Sequence, residues 1–309
     1  RHTLFRAITA IKISTGNPLD VMTIIKAMLA AGLLSASGLV VADEFKCLHE
    51  QDVAPSLNQQ AEQWFQQGRS ISKERPANWT EVARLYQQAA EKNHWKAMHN
   101  LAELYLRGDG VVKDTNKAID LYMEMVKLQV PLGYYDMGVM TQRGVGVVQS
   151  DKDAMLFLLK AGDMGSPIAQ VRLGNTYIYN LKKYQLGVSY LRCAAHQNDA
   201  RANYELATYH EIIDRNYPVA LHYYQKAAAL GELKGSMQIE SVFRNGLFSY
   251  QKNKKVEDAY YEISSQLSNN PGLRFPNLAN SHPLPPNPIQ GYHGDKDITW
   301  KPTGRDDDY

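Results

Sequence analysis

The chain has little of what most enzymes and nucleic-acid binders display. Its 309 residues hold two cysteines, and its charges nearly cancel, with 34 Lys and Arg against 32 Asp and Glu. Four of the bases (Arg1, Arg6, Lys12 and Lys26) fall in the first 42 residues beside a single acid, Asp20; beyond them 30 basic residues face 31 acidic ones. A near-neutral chain carries no electrostatic footprint for nucleic acid, and none is expected as a partner. Catalytic motifs are missing too. There is no Gly-x-Ser-x-Gly elbow and no phosphate-cradling loop. His210-Glu211 lacks the second histidine of a zinc protease. His94 and His99 have no acid at ligand spacing and read as surface and turn residues. Gly108-x-Gly110 and Gly144-x-Gly146 follow helices rather than a strand, so they are turns and not a nucleotide fingerprint. Cys193 has no base beside it in sequence. The expectation is a chain with no catalytic residue, no metal and no cofactor.

Long hydrophobic runs are also scarce. One, Ala27 to Ala42, follows Met22 and Lys26 and ends in Val40-Val41-Ala42. Its 16 residues fall short of the ~20 that span a bilayer. The layout is that of a secretory signal peptide over 22–42, cleaved before Asp43, with 1–21 as an upstream segment outside the fold. The alternative is an uncleaved anchor. Cleavage places the mature protein in the periplasm with no stable membrane insertion. There an even pair of cysteines, Cys47 and Cys193, suggests a disulfide; two separate buried thiols are the other possibility. The bond is within reach if residues 43–56 run back along the rest of the molecule.

What is present is a repeat. Pairs of small or apolar residues recur with first members at Ala89, Met125, Ala161, Ala194 and Ala227, steps of 36, 36, 33 and 33 residues. Seven positions earlier stand Val82, Ala118, Ala154, Gly187 and Ala220, and three earlier Tyr86, Tyr122, Leu158, Leu191 and Tyr224. Spacings of three, four and seven lie on one helix face. A second helix keeps the same rhythm through Ala97, Gly133, Ala169, Ala202 and Gly235, followed four residues later by Leu101, Met137, Leu173, Leu206 and Ile239. One hairpin cannot bury its own apolar face, whereas stacked hairpins bury a continuous core. The fold class is all-α: a right-handed α-solenoid of about five helical hairpins over 78–253, with helical caps. The caps are an N-terminal segment and helix over 43–77 (Leu57, Ala61, Trp64, Phe65) and a helix over 254–267, whose Tyr260, Tyr261 and Ile263 cover the last repeat. From Ser268 to Tyr309 six prolines between Pro271 and Pro288 forbid regular helix, and the acidic end is expected to be mobile or ordered by a partner.

The pattern Ala-x3-Tyr-x2-Ala-Ala, then Ala-x3-Leu-Ala/Gly-x2-Tyr-x2-Gly-x-Gly-Val, resembles the Sel-one-like repeat, a relative of the tetratricopeptide repeat. A narrower likeness covers the whole mature chain. It rests on Phe45-Lys46-Cys47-Leu48-His49-Glu50, Gly133-Tyr134-Tyr135-Asp136-Met137-Gly138, Arg192-Cys193-Ala194, Arg274-Phe275-Pro276-Asn277-Leu278 and Pro283-Leu284-Pro285-Pro286. These look like a group of secreted bacterial repeat proteins with a proline-rich C-terminal module. Some of that group are immunity proteins beside phospholipase effectors of the type VI secretion system. The resemblance implies a monomer, or one partner in a 1:1 complex, that binds a phospholipase toxin and blocks it. A periplasmic scaffold for envelope assembly is the alternative.

First-helix residues are the candidates for partner contact. Core packing accounts for Tyr86, Tyr122 and Tyr224. Tyr190 and Tyr223, one position earlier, are expected at the edge of the binding groove, with Arg84, Gln88, Glu124, Lys160, Arg192 and Lys226 supplying polar contacts.

Overall fold

The computed structural model describes residues 45–286; the expected signal peptide over 22–42, with the rest of residues 1–44, and the last 23 residues lie outside the described residues. Among the described residues the chain is helical, without strands. The helices are α1 (Glu50–Val53), α2 (Gln59–Ile71), α3 (Trp79–Ala90), α4 (Trp95–Arg107), α5 (Thr115–Lys127), α6 (Pro131–Arg143), α7 (Asp151–Asp163), α8 (Pro167–Asn175), α9 (Tyr184–His196), α10 (Ala200–Ile212), α11 (Tyr217–Ala229), α12 (Leu233–Asn245), α13 (Lys254–Asn269) and α14 (Leu278–Ser281). A π-helical turn, Thr176–Asn180, continues α8.

The repeat rhythm read from the small residues is the rhythm of the helices. First helices begin at Trp79, Thr115, Asp151, Tyr184 and Tyr217, and second helices at Trp95, Pro131, Pro167, Ala200 and Leu233. Both series advance by 36, 36, 33 and 33 residues. Helix α2 begins 36 residues before α4, so the N-terminal cap is the second half of another hairpin. The turns keep time as well. Asn93, Gln129, Gly165, Asn198 and Gly231, again 36, 36, 33 and 33 apart, all take the left-handed conformation that closes the helical hairpin. The architecture is an α-solenoid of helical hairpins.

The described residues divide into two compact units, one of residues 56–128 and 136–157, the other of 45–55, 129–135 and 158–286. In the first unit, side chains close each helix start: Asn58 accepts from the Ala61 amide, Asn78 from Glu81, and Asp114 from Lys117. The faces predicted to be apolar are inside, with Val82, Ala89, Ala97 and Ala118 fully buried. His94 departs from expectation. It is not a surface residue: it is fully buried, caps α4 by accepting from the Ala97 amide at 3.1 Å, and bonds Glu62 at 2.8 Å.

In the second unit a core of Ile178, Leu191, Leu206, Ala220, Tyr224, Ile239 and Phe243 runs on into Tyr260, Ile263 and Leu267 of α13. Tyr261 does not join that cover; it faces outward while Tyr260 turns in. The later repeats are shorter because the loops after α8 and α10 are shorter, and the π turn after α8 takes up part of that change. Close helix approach here depends on small residues. A Cβ built on Gly187 of α9 would lie 2.8 Å from the Gly174 carbonyl oxygen of α8.

Both terminal segments dock in this unit. Near the N-terminus, Cys47 and Cys193 form a disulfide with Cα atoms 5.5 Å apart. Gln170 donates to the Leu48 carbonyl at 3.1 Å, and the Glu50 amide donates to Gln197 at 2.9 Å. Gly165 permits this, since a Cβ there would stand 2.6 Å from the His49 carbonyl carbon. The proline-rich stretch is anchored in the same way at the equivalent turn of a later repeat. The Phe275 amide donates to the Ala229 carbonyl at 2.7 Å, and Leu278 is buried. Gln225 and Tyr260 both donate to the His282 carbonyl. Prolines therefore end α13 near Asn269 without leaving residues 270–286 detached.

Candidate binding surface

A tyrosine of a first helix donates to a carboxylate in three of the repeats. In the first unit Tyr122 of α5 donates to Glu103 of α4 at 2.8 Å, and nearby His99 bonds Asp136 of α6 at 2.8 Å. In the second unit Tyr224 of α11 donates to Glu211 of α10, whose carboxylate also accepts from Gln238 of α12 at 3.2 Å. The two clusters occupy the same register of the repeat: Glu103 corresponds to Thr208, His99 to Tyr204, and Asp136 to Gln238. Tyr190 of α9 donates to Asp163 of α7 at 2.8 Å. Each cluster ties one first helix to a neighbouring hairpin through groups that burial would otherwise leave unsatisfied. Burial first, then the adjacent carboxylates, pushes the phenols of Tyr122 and Tyr190 far above their ordinary range. Burial likewise raises the Asp136 carboxyl, opposed by the His99 bond. Phenols held neutral against carboxylates are structural cross-ties, not nucleophiles.

The predicted contact residues separate into two sets. Arg84 and Lys226 are exposed, and Gln88, Glu124 and Lys160 are partly so. Arg84 pairs with Glu81 at 2.6 Å and donates to Gln88 at 2.9 Å. Glu124 pairs with Lys127 at 2.8 Å. The Lys226 ammonium lies 5.6 Å over the ring of Tyr223. Tyr190, Arg192 and Tyr223 are buried, not at an edge. Tyr190 packs between Phe45, at 4.4 Å between ring centres, and Tyr177, at 5.6 Å and nearly parallel, so the stapled N-terminal segment covers it. Tyr223 stacks flat on His210 at 5.7 Å, while His210 bonds Asp214. Single-helix periodicity could not find these partners, because each arrives from another element.

His49 joins the two cysteines in one small cluster, with ligand-type atoms all within 4.8 Å of one another. With the sulfurs joined to each other, the cluster offers no thiolate to a metal.

His222 of α11 is a pH-sensitive element of the second unit. Its Nε2 is buried with no hydrogen-bond partner, and burial, helped by the Lys226 ammonium, holds its pKa down at about 4. An unfolded imidazole protonates near pH 6.5. The histidine's contribution is therefore complete above about pH 6.5 and is lost as pH falls through 4, up to roughly 3 kcal/mol. Urea unfolding at pH 7 and pH 4.5 measures the loss. A His222→Leu variant should lose less stability over that interval than the parent; equal losses would contradict the assignment.

The Sel1 repeat family model matches residues 83–94, 95–122, 131–166, 167–199 and 200–232. Three solved structures from Pseudomonas aeruginosa are similar over most of the chain. PA5086 is 43% identical, covering 81% of this chain and 98% of its own, with a TM-score of 0.68. The immunity protein Pa5087 is 41% identical, covering 80% and 97%, with a TM-score of 0.68. The immunity protein PA5088 is 42% identical, covering 80% and 96%, with a TM-score of 0.72. By contrast, the chain spans only 16% and 19% of the length of the curated relatives it matches. These are chitin synthase regulatory factor 3 of Schizosaccharomyces pombe, at 28% identity over 45% of this chain, and protein sel-1 homolog 2 of Mus musculus, at 24% over 42%.

Proposed function

Because the chain belongs to the Sel1 repeat family, we propose that it is an immunity protein, exported to the periplasm, which binds a type VI secretion phospholipase effector and occludes its active-site mouth. The observation that carries this reading is similarity at 41–42% identity, over nearly their full length, to two proteins described as immunity proteins. The Cys47–Cys193 bond supports an oxidising compartment, where such bonds persist. Neutralising a toxin by binding alone requires tight association. A nanomolar complex corresponds to about −12 kcal/mol, commonly from an interface of about 1,600 Å². Arg84, Gln88, Glu124, Lys160 and Lys226 are the polar contacts we assign to that interface. Tyr190, Arg192 and Tyr223, being buried, are not among the contacts we assign to it.

The test is co-expression. A type VI phospholipase effector of the proposed kind, directed to the periplasm of a sensitive host, should arrest growth, and co-expression of this chain should restore it. Unrelieved toxicity with both proteins present overturns the reading. A growth or envelope defect on deleting the chain in cells lacking the effector would point to the scaffold role.

A further inference from the structure

The two ends of the hairpins in the second unit differ in character. At the end where first helices turn into second helices, the chain's own termini lie on the turns. Residues 48–50 rest on Gly165 and Gln197, and residues 273–275 on Gly231 and Ala229. At the opposite end, three loops join each second helix to the next first helix, at 181–183, 213–216 and 246–253. Antiparallel alternation puts these three loops on one edge.

That edge carries aliphatic side chains where a soluble loop would carry polar ones. Leu181 is 54% exposed, Ile212 59% and Leu247 41%, and Ile213 stands beside Ile212. Cations alternate with them: Lys182 and Lys183 in the first loop, Arg215 in the second and Lys252 in the third, all exposed. Asp214 is the one acid within these loops, and the acids at the start of the next helix are paired. Asp214 bonds His210, and Glu257 and Asp258 are held by Arg244 and Lys254. Lys182 and Arg215 stand 33 residues apart at equivalent points of the repeat, and both adopt a left-handed backbone, with φ of 57° and 55°. Glycine or asparagine is the relaxed choice at such a point. Long cationic side chains held there, twice in register, indicate a use for the charge.

We propose that this edge of the second unit is a peripheral docking surface for a bilayer bearing anionic headgroups. Apolar tips dip into the interfacial layer while the neighbouring lysines and arginine meet lipid phosphates. Charge complementarity selects the occupant: four cations against one loop acid, Asp214, leave the edge with a net positive charge that a polyanionic plane complements. The aliphatic groups sit on separate loop tips rather than in a groove, which favours a deformable lipid surface over a shaped protein partner. The inference does not depend on the immunity reading, and either can fail alone.

Vesicle flotation of the purified protein tests it. Phosphatidylcholine vesicles are compared with vesicles containing about one third phosphatidylglycerol, at low and high salt. The protein should float with the anionic vesicles only, and less at high salt. Charge reversal of Lys182, Lys183 and Arg215 to Glu should weaken partition on the order of a hundredfold. Ile212→Ser with Ile213→Ser should weaken it several-fold while leaving its salt dependence. All five side chains are exposed, so unchanged circular dichroism and melting confirm folded variants. Three outcomes overturn the proposal: no flotation of the parent protein, flotation that both variants retain, or an effect of the charge variant on effector binding alone.

Discussion

Serine at position 193, or reduction of the Cys47–Cys193 bond, is expected to lower the melting temperature by roughly 5 to 15 °C. The bond joins residues 146 apart in sequence. The chain-entropy relation gives about 5 kcal/mol as the ceiling for closing a loop of that length, and losses on removing a native disulfide run at roughly 2–5 kcal/mol. The staple also anchors a segment with little to hold it otherwise. Helix α1 has four residues and no buried side chain. Without the bond, Phe45 is free to leave Tyr190, and the Leu48 and Glu50 backbone bonds to Gln170 and Gln197 lose their tether. Thermal unfolding with and without a dithiol reductant, alongside the Cys193→Ser variant, measures this. A melting temperature unmoved by both treatments would mean that the segment contributes nothing to the fold.

Gly187→Val should cost the second unit roughly 2–4 kcal/mol. The sharper companion is Gly187→Ala, because two effects predict opposite signs. In an isolated helix the change would stabilise by about 1 kcal/mol. In the folded protein the new Cβ would meet the Gly174 carbonyl oxygen at 2.8 Å and Ile178 at 2.6 Å. The carbonyl oxygen belongs to backbone and cannot swing aside, so packing wins and the alanine variant should be less stable than the parent. Urea unfolding gives the sign directly. A stabilised alanine variant would refute close helix approach as the reason for the small residue at this register.

The hairpin array was legible because its cause is local and repeated. A helix that must pack closely on two neighbours keeps a small residue at the same point of every repeat, and Ala89, Ala161, Ala194 and Ala227, one on each of four first helices, display that recurrence without any knowledge of the partner helices. The turns read at Gly108, Gly110, Gly144 and Gly146 are likewise local, and all four take a positive φ. Contacts between distant segments were not legible. Nothing near Tyr190 announces Phe45, and nothing near Gly231 announces Leu273 and Arg274, since such pairings depend on where the termini travel. His94 looked like a surface residue because its partners come from elsewhere: Glu62 from α2, and Phe65 stacked 4.6 Å away. The disulfide lay between these cases. Two cysteines and an expected oxidising compartment suggested it, while the path of residues 45–55 against α8 and α9 required the structure. Among the contact residues, exposure at Arg84 and Lys226 followed helix phase, but burial at Tyr190, Arg192 and Tyr223 did not.

The most direct test of the central claim is titration of the purified phospholipase effector proposed as its partner with the purified protein while its lipid hydrolysis is followed. Binding and occlusion predict that activity falls linearly to near zero at one inhibitor per enzyme, with a dissociation constant on the order of nanomolar. Full hydrolysis in the presence of a many-fold excess of this chain would contradict it.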